Sequence, residues 1–277
     1  MKTITLPKFP TIEFSNDLPF VLIAGPCAME SPEHAIWMAT QLQQITMRVG
    51  IPFVFKTSFD KANRTSINSP RGVGLKNAKG AFKFIREHLE VPVLTDIHTP
   101  SQCKKLDGVV DIIQIPAFLT RQTDLVVAAG ETDCVVNIKK AQFMSPQDVV
   151  HVIKKVESTR NTNILLTDRG TCFGYNTLVS DMRGLVSMSD TGYPVVFDAT
   201  HSVQQPSAGD GKSSGQREMV FPLARAATAV GVASLFMEVH ENPDEALSDG
   251  PNMLRLDEVE DVLTKLLEID RVVKLDV

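Results

Sequence analysis

Four residues of this chain, Cys27, His201, Glu238 and Asp249, offer a thiolate, an imidazole and two carboxylates. Together such groups suit a borderline or first-row divalent cation. They lie far apart in the sequence, so spacing alone does not assemble them, and His98 and His240 are equally eligible by position. A second set is cationic: Lys56, Lys61, Arg64, Lys139, Lys140 and Arg169. The chain carries a formal net charge of −5, which excludes bulk attraction to nucleic acid or to an anionic membrane. Cations gathered locally in an acidic protein imply a small substrate with several negative charges, such as two phosphates, or a phosphate and a carboxylate. Arginine would grip these groups through two parallel bonds and lysine as a point charge. Lysines in such a place also keep Schiff-base chemistry open, with Lys56, Lys61 or Lys139 as the amine. Each lysine taken alone reads as a solvated surface residue, and a lone cysteine as core; only as sets do these residues point to chemistry.

What must position them is a repeating unit. Eight apolar runs, 20–25, 52–56, 91–96, 111–116, 134–139, 163–168, 194–198 and 233–238, are four to eight residues long, rich in Val, Ile, Leu and Phe. They read as buried parallel strands. Segments with helical spacing fill the gaps: 32–49 (with Ser31 as N-cap), 74–89, 100–105, 122–129, 146–158, 177–187 and 216–230, and then 243–247 and 256–269. Eight strand–helix repeats favour a closed (β/α)8 TIM barrel over a doubly wound sheet, which would have edges. Each candidate residue follows or ends a strand, where such a barrel gathers its active groups. Residues 1–19 alternate and are punctuated by proline, and predict a small N-terminal hairpin covering the barrel bottom. Residues 20–277 then form one catalytic domain. The small, polar stretch 206–216 after the seventh strand is a candidate lid.

At 277 residues and 43% hydrophobic content the chain can bury a core of this size. Its four cysteines, Cys27, Cys103, Cys134 and Cys172, match no disulfide framework or CxxC zinc module. With neither a leader pattern nor an apolar run of about 18 residues, the expectation is a soluble cytoplasmic protein with reduced thiols.

Four ordered motifs carry a resemblance that runs from about residue 20 to the C-terminus. They are Ile23-Ala-Gly-Pro-Cys-Ala-Met-Glu-Ser31, Phe55-Lys-Thr-Ser-Phe-Asp-Lys-Ala-Asn-Arg-Thr-Ser66, Asp111-Ile-Ile-Gln-Ile-Pro-Ala-Phe-Leu-Thr-Arg-Gln-Thr-Asp124 and Asp198-Ala-Thr-His-Ser-Val-Gln204. In these the chain resembles the 3-deoxy-D-manno-octulosonate 8-phosphate synthases, also called 2-dehydro-3-deoxyphosphooctonate aldolases. The resemblance implies a barrel enzyme, usually a homotetramer, that condenses phosphoenolpyruvate with D-arabinose 5-phosphate and water on the route to the Kdo sugar of lipopolysaccharide. It implies that Lys61, Lys139 and Arg169 hold phosphoenolpyruvate, with Lys56, Ser58, Asp96 and Gln114 beside them. Asn63, Arg64 and Ser66 would contact arabinose 5-phosphate, and Arg121 would reach the sugar phosphate in a neighbouring subunit's site. Lys61, Asp96, Lys139 and His201 are the expected catalytic groups. Cys27, His201, Glu238 and Asp249 match the ligands of a metal-dependent branch, for Zn, Fe, Mn or Co; a metal-independent branch carries Asn in place of Cys27. His98 and His240 fall back to supporting roles. The nearest rival is phosphoheptulonate synthase, which takes erythrose 4-phosphate and whose acceptor loop reads Lys-Pro-Arg where this chain has Lys61-Ala-Asn-Arg64. A rival of another class is a non-catalytic anion-binding barrel.

Overall fold

In a computed structural model, which describes residues 1–64, 66–209 and 212–274, the eight apolar runs become eight parallel strands. They are β1 (Val21–Gly25), β2 (Phe53–Lys56), β3 (Val93–Asp96), β4 (Ile112–Ile115), β5 (Val135–Lys139), β6 (Ile164–Asp168), β7 (Val195–Asp198) and β8 (Ser234–His240). Each pairs with the next, and β8 returns to β1, so the sheet closes. The (β/α)8 barrel replaces the doubly wound alternative because closure leaves no buried strand with an unpaired edge.

The helices are α1 (Pro32–Val49), α2 (Gly74–His88), α3 (Pro100–Leu106), α4 (Thr123–Gly130), α5 (Val149–Glu157), α6 (Met182–Ser189), α7 (Val220–Val230) and α8 (Val259–Lys274). The start of α1 is set as its sequence predicts: Ser31 Oγ accepts the His34 amide at 3.0 Å, and Pro32 needs no partner for a missing N–H. Gly50 ends it at φ 78°, where its N–H reaches Thr46 O.

Strand alternation divides the residues between two cores. Outward residues such as Leu22, Phe55, Val93, Ile113, Val136, Leu166, Phe197 and Leu235 pack against the helices in one large cluster. Inward residues Val21, Ile23, Val54, Leu94, Ile112, Val135, Leu165, Val196 and Phe236 form a second. The N-terminal hairpin, Ile4–Leu6 paired antiparallel with Phe9–Phe14, inserts Ile4, Leu6, Ile12 and Phe14 into that inner cluster. It therefore plugs the end of the barrel at which the strands begin. Two residues further along each strand, the same inward parity presents Lys56, Asp96, Gln114, Asn137, Thr167, Asp198 and Glu238, with Lys139 one step beyond Asn137. The barrel interior is thus dry at one end and charged at the other.

One sequence expectation needs correction. Residues 177–187 read as one helix, but Leu178–Val179 pair antiparallel with Thr171–Cys172, and α6 begins only after Asp181, whose carboxylate accepts the Arg183 amide. That N-cap, absent from the periodicity argument, decides the start. The stretch 206–216 reads as a small polar loop and candidate lid, and its flanks Gln204–Gly209 and Lys212–Gly215 pair as an antiparallel ribbon, which lets the segment satisfy its own backbone groups. Asp210 and Gly211, at the centre of the suggested lid, lie outside the described residues.

Phe14 is fully buried in the plug. Phe14→Ala is expected to cost about 3–5 kcal/mol of stability. Chemical denaturation of the purified variant checks this, and a loss below about 1 kcal/mol would mean that the hairpin is not part of the cooperative core.

Candidate active site

The charged end of the barrel collects groups from strands distant in sequence. Lys56, the last residue of β2, is 1% exposed and donates to Glu238 Oε1 of β8 at 2.7 Å and to Cys27 O at 3.3 Å. Lys61 Nζ lies 4.0 Å from the same Glu238 oxygen. Cys27 Sγ, just beyond β1, donates to Asp249 Oδ2 at 3.1 Å. Donor atoms of Cys27, Glu238 and Asp249 all lie within 4.8 Å of one another. His201 Nε2 is 3.6 Å from Glu238 Oε1, so the fourth expected residue joins the set. Backbone approach matters here: a Cβ on Gly25 would sit 2.0 Å from Lys56 O, so only glycine lets β1 come this close to the end of β2.

Asp198 organises one side of the mouth. It is fully buried, and its oxygens accept from the Thr200 hydroxyl at 3.1 Å, the His201 amide at 2.9 Å, His201 Nδ1 at 2.7 Å and Lys139 Nζ. A carboxylate on Nδ1 fixes a proton there, so Nε2, which faces Glu238, is the nitrogen a cation would take. Lys139 also lies over the Phe236 ring, 3.4 Å from its centroid. A neutral layer lies beneath: Asn137 donates to Gln114 Oε1 at 3.0 Å and accepts from Thr167 Oγ1 at 2.6 Å. Arg169 donates to Gln204 Oε1 at 2.8 Å, and Gln204 Nε2 donates to Asp249 Oδ1 at 2.7 Å.

The protonation pattern follows from burial against charge. Burial works against Glu238 as an anion, but His201, Lys56 and Lys61 hold its carboxyl below the ordinary range. Burial also opposes ionised Asp249, and His201, Lys61 and the hydrogen bonds from Cys27 and Ser248 overcome it. Asp96 resists burial through the His98 ring at 2.8 Å and through Lys61 and Lys56. The Cys27 thiol is pushed up by burial, then by Glu238 and Asp249, with Lys61 and Lys56 opposing. Burial lowers Lys139 to about 8 even though Asp198 favours its ammonium form.

The donor set fits a divalent cation. One sulfur and two carboxylates converge, and one imidazole nitrogen stands 3.6 Å from Glu238 at their edge; Glu238 Oε2 is buried with no hydrogen-bond partner among the described residues, and the Cys27 proton lies where a cation's charge would replace it. Glu30, His34 and His240 form another cluster of comparable compactness. There, His240 Nδ1 accepts the Asn242 amide at 3.0 Å, which leaves the proton on Nε2, 3.2 Å from Glu30 Oε1. His34 Nε2 bonds the Glu241 carboxylate, so both His240 nitrogens and one of His34 are spent on hydrogen bonds, while His34 Nδ1 is buried without a partner among the described residues. Among the described residues, Ser58 Oγ, Asp96 Oδ1 and Arg169 Nη1 are also buried without partners, as groups awaiting a polar ligand would be.

Other expected residues sit around the rim. Arg64 donates to Pro70 O, Ser248 Oγ and Leu247 O. Asn63 is exposed, and Ser66 Oγ accepts the Asn68 amide at 3.3 Å. Arg121 is exposed on the loop after β4, and no side-chain hydrogen bond from it to the mouth occurs among the described residues. Lys140 corrects the cationic set: parity turns it away from Lys139 and out of the barrel, where it is fully buried, 3.4 Å from Asp168 Oδ1 and bonded to Ala141 O, Met144 O and Thr171 Oγ1. Asp198, Gln204 and Ser248 were given no specific site role from the sequence. Asp198 ends the seventh apolar run, shares parity with Val196 and precedes His201 by three, and Gln204 closes the same motif; Ser248 has no signal.

Comparison with known proteins agrees with this geometry. The model of the DAHP synthetase I family matches residues 3–275. A 2-dehydro-3-deoxyphosphooctonate aldolase of Brucella anthropi is 55% identical over 96% of both chains. Proteins of the same name from Rickettsia bellii and Brucella melitensis are 53% and 54% identical, each over 96% of this chain and covering 97% and 96% of their own length. On this likeness, which spans nearly the whole length of both partners, the chain belongs to the DAHP synthetase I family, among its 2-dehydro-3-deoxyphosphooctonate aldolases.

Proposed function

We propose that this chain is a 3-deoxy-8-phosphooctulonate synthase that joins phosphoenolpyruvate to D-arabinose 5-phosphate and water, releasing inorganic phosphate, in the supply of Kdo for lipopolysaccharide. The observation that carries the reading is the meeting of Lys56, Lys61, Lys139 and Arg169 with Cys27, His201, Glu238 and Asp249 at one end of a closed barrel. In this reading residues 20–277 are one catalytic domain with the hairpin of residues 1–19 as its plug.

Lys61, Lys139 and Arg169 hold the phosphate and carboxylate of phosphoenolpyruvate, with Lys56, Ser58, Asp96 and Gln114 around them. Arg64, with Asn63 and Ser66, takes arabinose 5-phosphate. Two anionic substrates repel each other; the cations offset that repulsion and fix the approach. C3 of the enol attacks the aldehyde carbon, water adds at C2, and the resulting hemiketal phosphate expels phosphate by C–O cleavage. This sequence needs no amine nucleophile. The lysines support that: Lys56 is ion-paired to Glu238, Lys61 is raised by Glu238 and Asp96 against the effect of burial, and Lys139, which burial lowers to about 8, is held as an ammonium by Asp198. Charged and capped ammonium groups are clamps rather than Schiff-base formers. Asp96, paired to His98, is the group placed to exchange a proton near the reacting carbons, and His201, oriented by Asp198, serves the reaction by presenting Nε2 to the cation.

Cys27, His201, Glu238 and Asp249 would hold a divalent cation, Zn, Fe, Mn or Co. Bound there, it would supply Lewis-acid polarisation of an oxygen. Arg121 belongs to a neighbouring copy's site in this reading, and the protein is then a homotetramer. Its exposure, and that of Phe118 (58%) on the same loop, support a shared face. In this reading the activity is cytoplasmic, where phosphorylated substrates are retained. No helix among the described residues is long and apolar enough to cross a membrane.

The family name admits erythrose 4-phosphate as a rival acceptor, and Lys61-Ala-Asn-Arg64 favours the longer sugar. Phosphate release from phosphoenolpyruvate is expected with arabinose 5-phosphate and at most weakly with erythrose 4-phosphate; the reverse preference, or no release with either, would reject the proposal. Lys139→Ala is expected to lower kcat/KM for phosphoenolpyruvate about a hundredfold or more with an unchanged circular dichroism spectrum. Unaltered donor kinetics would remove Lys139 from the site. Cys27→Asn is expected to weaken metal binding about tenfold or more, read by elemental analysis of protein purified without chelator. Full metal content would show that Cys27 is not a ligand.

A further inference from the structure

Asp249 adopts a left-handed backbone conformation, φ 55° and ψ 18°, which costs a non-glycine residue energy unless its surroundings hold it. What holds it includes Ser248, a residue without a role so far. The Ser248 hydroxyl donates to Asp249 Oδ2 at 2.9 Å and accepts from Arg64 Nη1 at 2.6 Å. A hydroxyl has one proton and two acceptor positions, so both bonds form together and in this direction only. Arg64 also grips Leu247 O through Nη2 at 3.1 Å, and its Nε donates to Pro70 O at 2.7 Å. Three of the five guanidinium N–H groups are thereby engaged, leaving two for an anion.

We infer that Ser248 is a positioning residue that couples the acceptor's phosphate, bound at Arg64, to the divalent-cation site through the Asp249 carboxylate. The inference rests on the reading of Arg64 and Asp249 given under the proposed function. An anion on Arg64 offsets its charge and draws the guanidinium toward itself. Both effects pass through the Ser248 oxygen to Asp249 Oδ2. With less positive charge behind it, the carboxylate is a better cation ligand. The acceptor therefore tightens cation binding, and by linkage the cation tightens the acceptor to the same degree. Gln204 supplies an internal contrast. It donates to the other oxygen, Asp249 Oδ1, and accepts from Arg169, on the donor side. Loss of Ser248 leaves that second connection in place.

The test measures zinc affinity of the full-length protein by competition with a chromophoric chelator, alone, with arabinose 5-phosphate and with phosphoenolpyruvate. In the wild type, saturating arabinose 5-phosphate is expected to lower the zinc dissociation constant about fivefold or more. In Ser248→Ala that shift falls below about twofold while the shift from phosphoenolpyruvate persists. Ser248→Thr, which keeps the hydroxyl, restores it. Arg64→Lys keeps the charge but loses the fork, and shows the same weakened coupling; it also serves if Ser248→Ala does not fold. An undiminished acceptor shift in Ser248→Ala, or no shift in a wild type that consumes arabinose 5-phosphate, overturns the inference. A wild type that binds zinc yet neither binds nor consumes arabinose 5-phosphate overturns the functional reading, and the relay falls with it.

Discussion

The mouth of this barrel depends on the ion pair between Lys56 and Glu238, each side chain 1% exposed and 2.7 Å from the other. Neither charge survives there alone. Stripping one partner from such a pair leaves an uncompensated charge in a poorly polarisable setting, a loss of roughly 3–5 kcal/mol. The pair also sets the electrostatic tone of the site. Glu238 is kept ionised by Lys56, Lys61 and His201, and its second carboxylate oxygen stays without a partner. Around it the other carboxylates are each met by a nitrogen: Asp198 by Lys139 and His201, Asp96 by His98, and Glu238 again by His201. A site meant only for stability would replace most of these with apolar side chains at little cost. Retaining them preorganises charge for two anionic substrates.

That concentration of charge is tolerable because the other end of the barrel is apolar. The hairpin contributes Ile4, Leu6, Ile12 and Phe14 to an inner layer that meets every strand, so the floor beneath the site is packed and water enters from one side. Phe236 lies between the two regimes. It belongs to the inner apolar layer, yet its ring faces Lys139 at 3.4 Å and Lys56 at 5.3 Å. An aromatic face is the one apolar surface that stabilises an ammonium group without removing its charge.

The loops that complete the mouth are held by hydrogen bonds rather than by packing. Asp249 is reached from Cys27, Gln204 and Ser248, which belong to three different segments. Gln204 is also the first residue of the polar ribbon after β7, so the ribbon's base is tied to both Arg169 and Asp249. Ligands that compete for these bonds act on the segments that make them.

The strand–helix count, the eight strands to within two residues, the Ser31 cap and the plugging hairpin were all legible in the sequence, because each is a local consequence of apolar periodicity and capping chemistry. So was the list of chemically able residues, since Cys27, His201, Glu238, Asp249 and the lysines each follow or end an apolar run. What the sequence left open was decided by parity and closure. Lys139 and Lys140 are adjacent and chemically alike; strand alternation sends the first into the mouth and buries the second against Asp168. His98, His201 and His240 were equivalent candidates by position; His240 has both ring nitrogens bonded, to Asn242 and Glu30, His98 is tied to Asp96 away from the Cys27 cluster, and only His201 brings Nε2 to within 3.6 Å of Glu238. Asp198, Gln204 and Ser248 gain their roles from partners 59, 45 and 184 residues away. Periodicity is a short-range property of the chain, whereas a hydrogen bond across the barrel exists only once β8 has closed on β1.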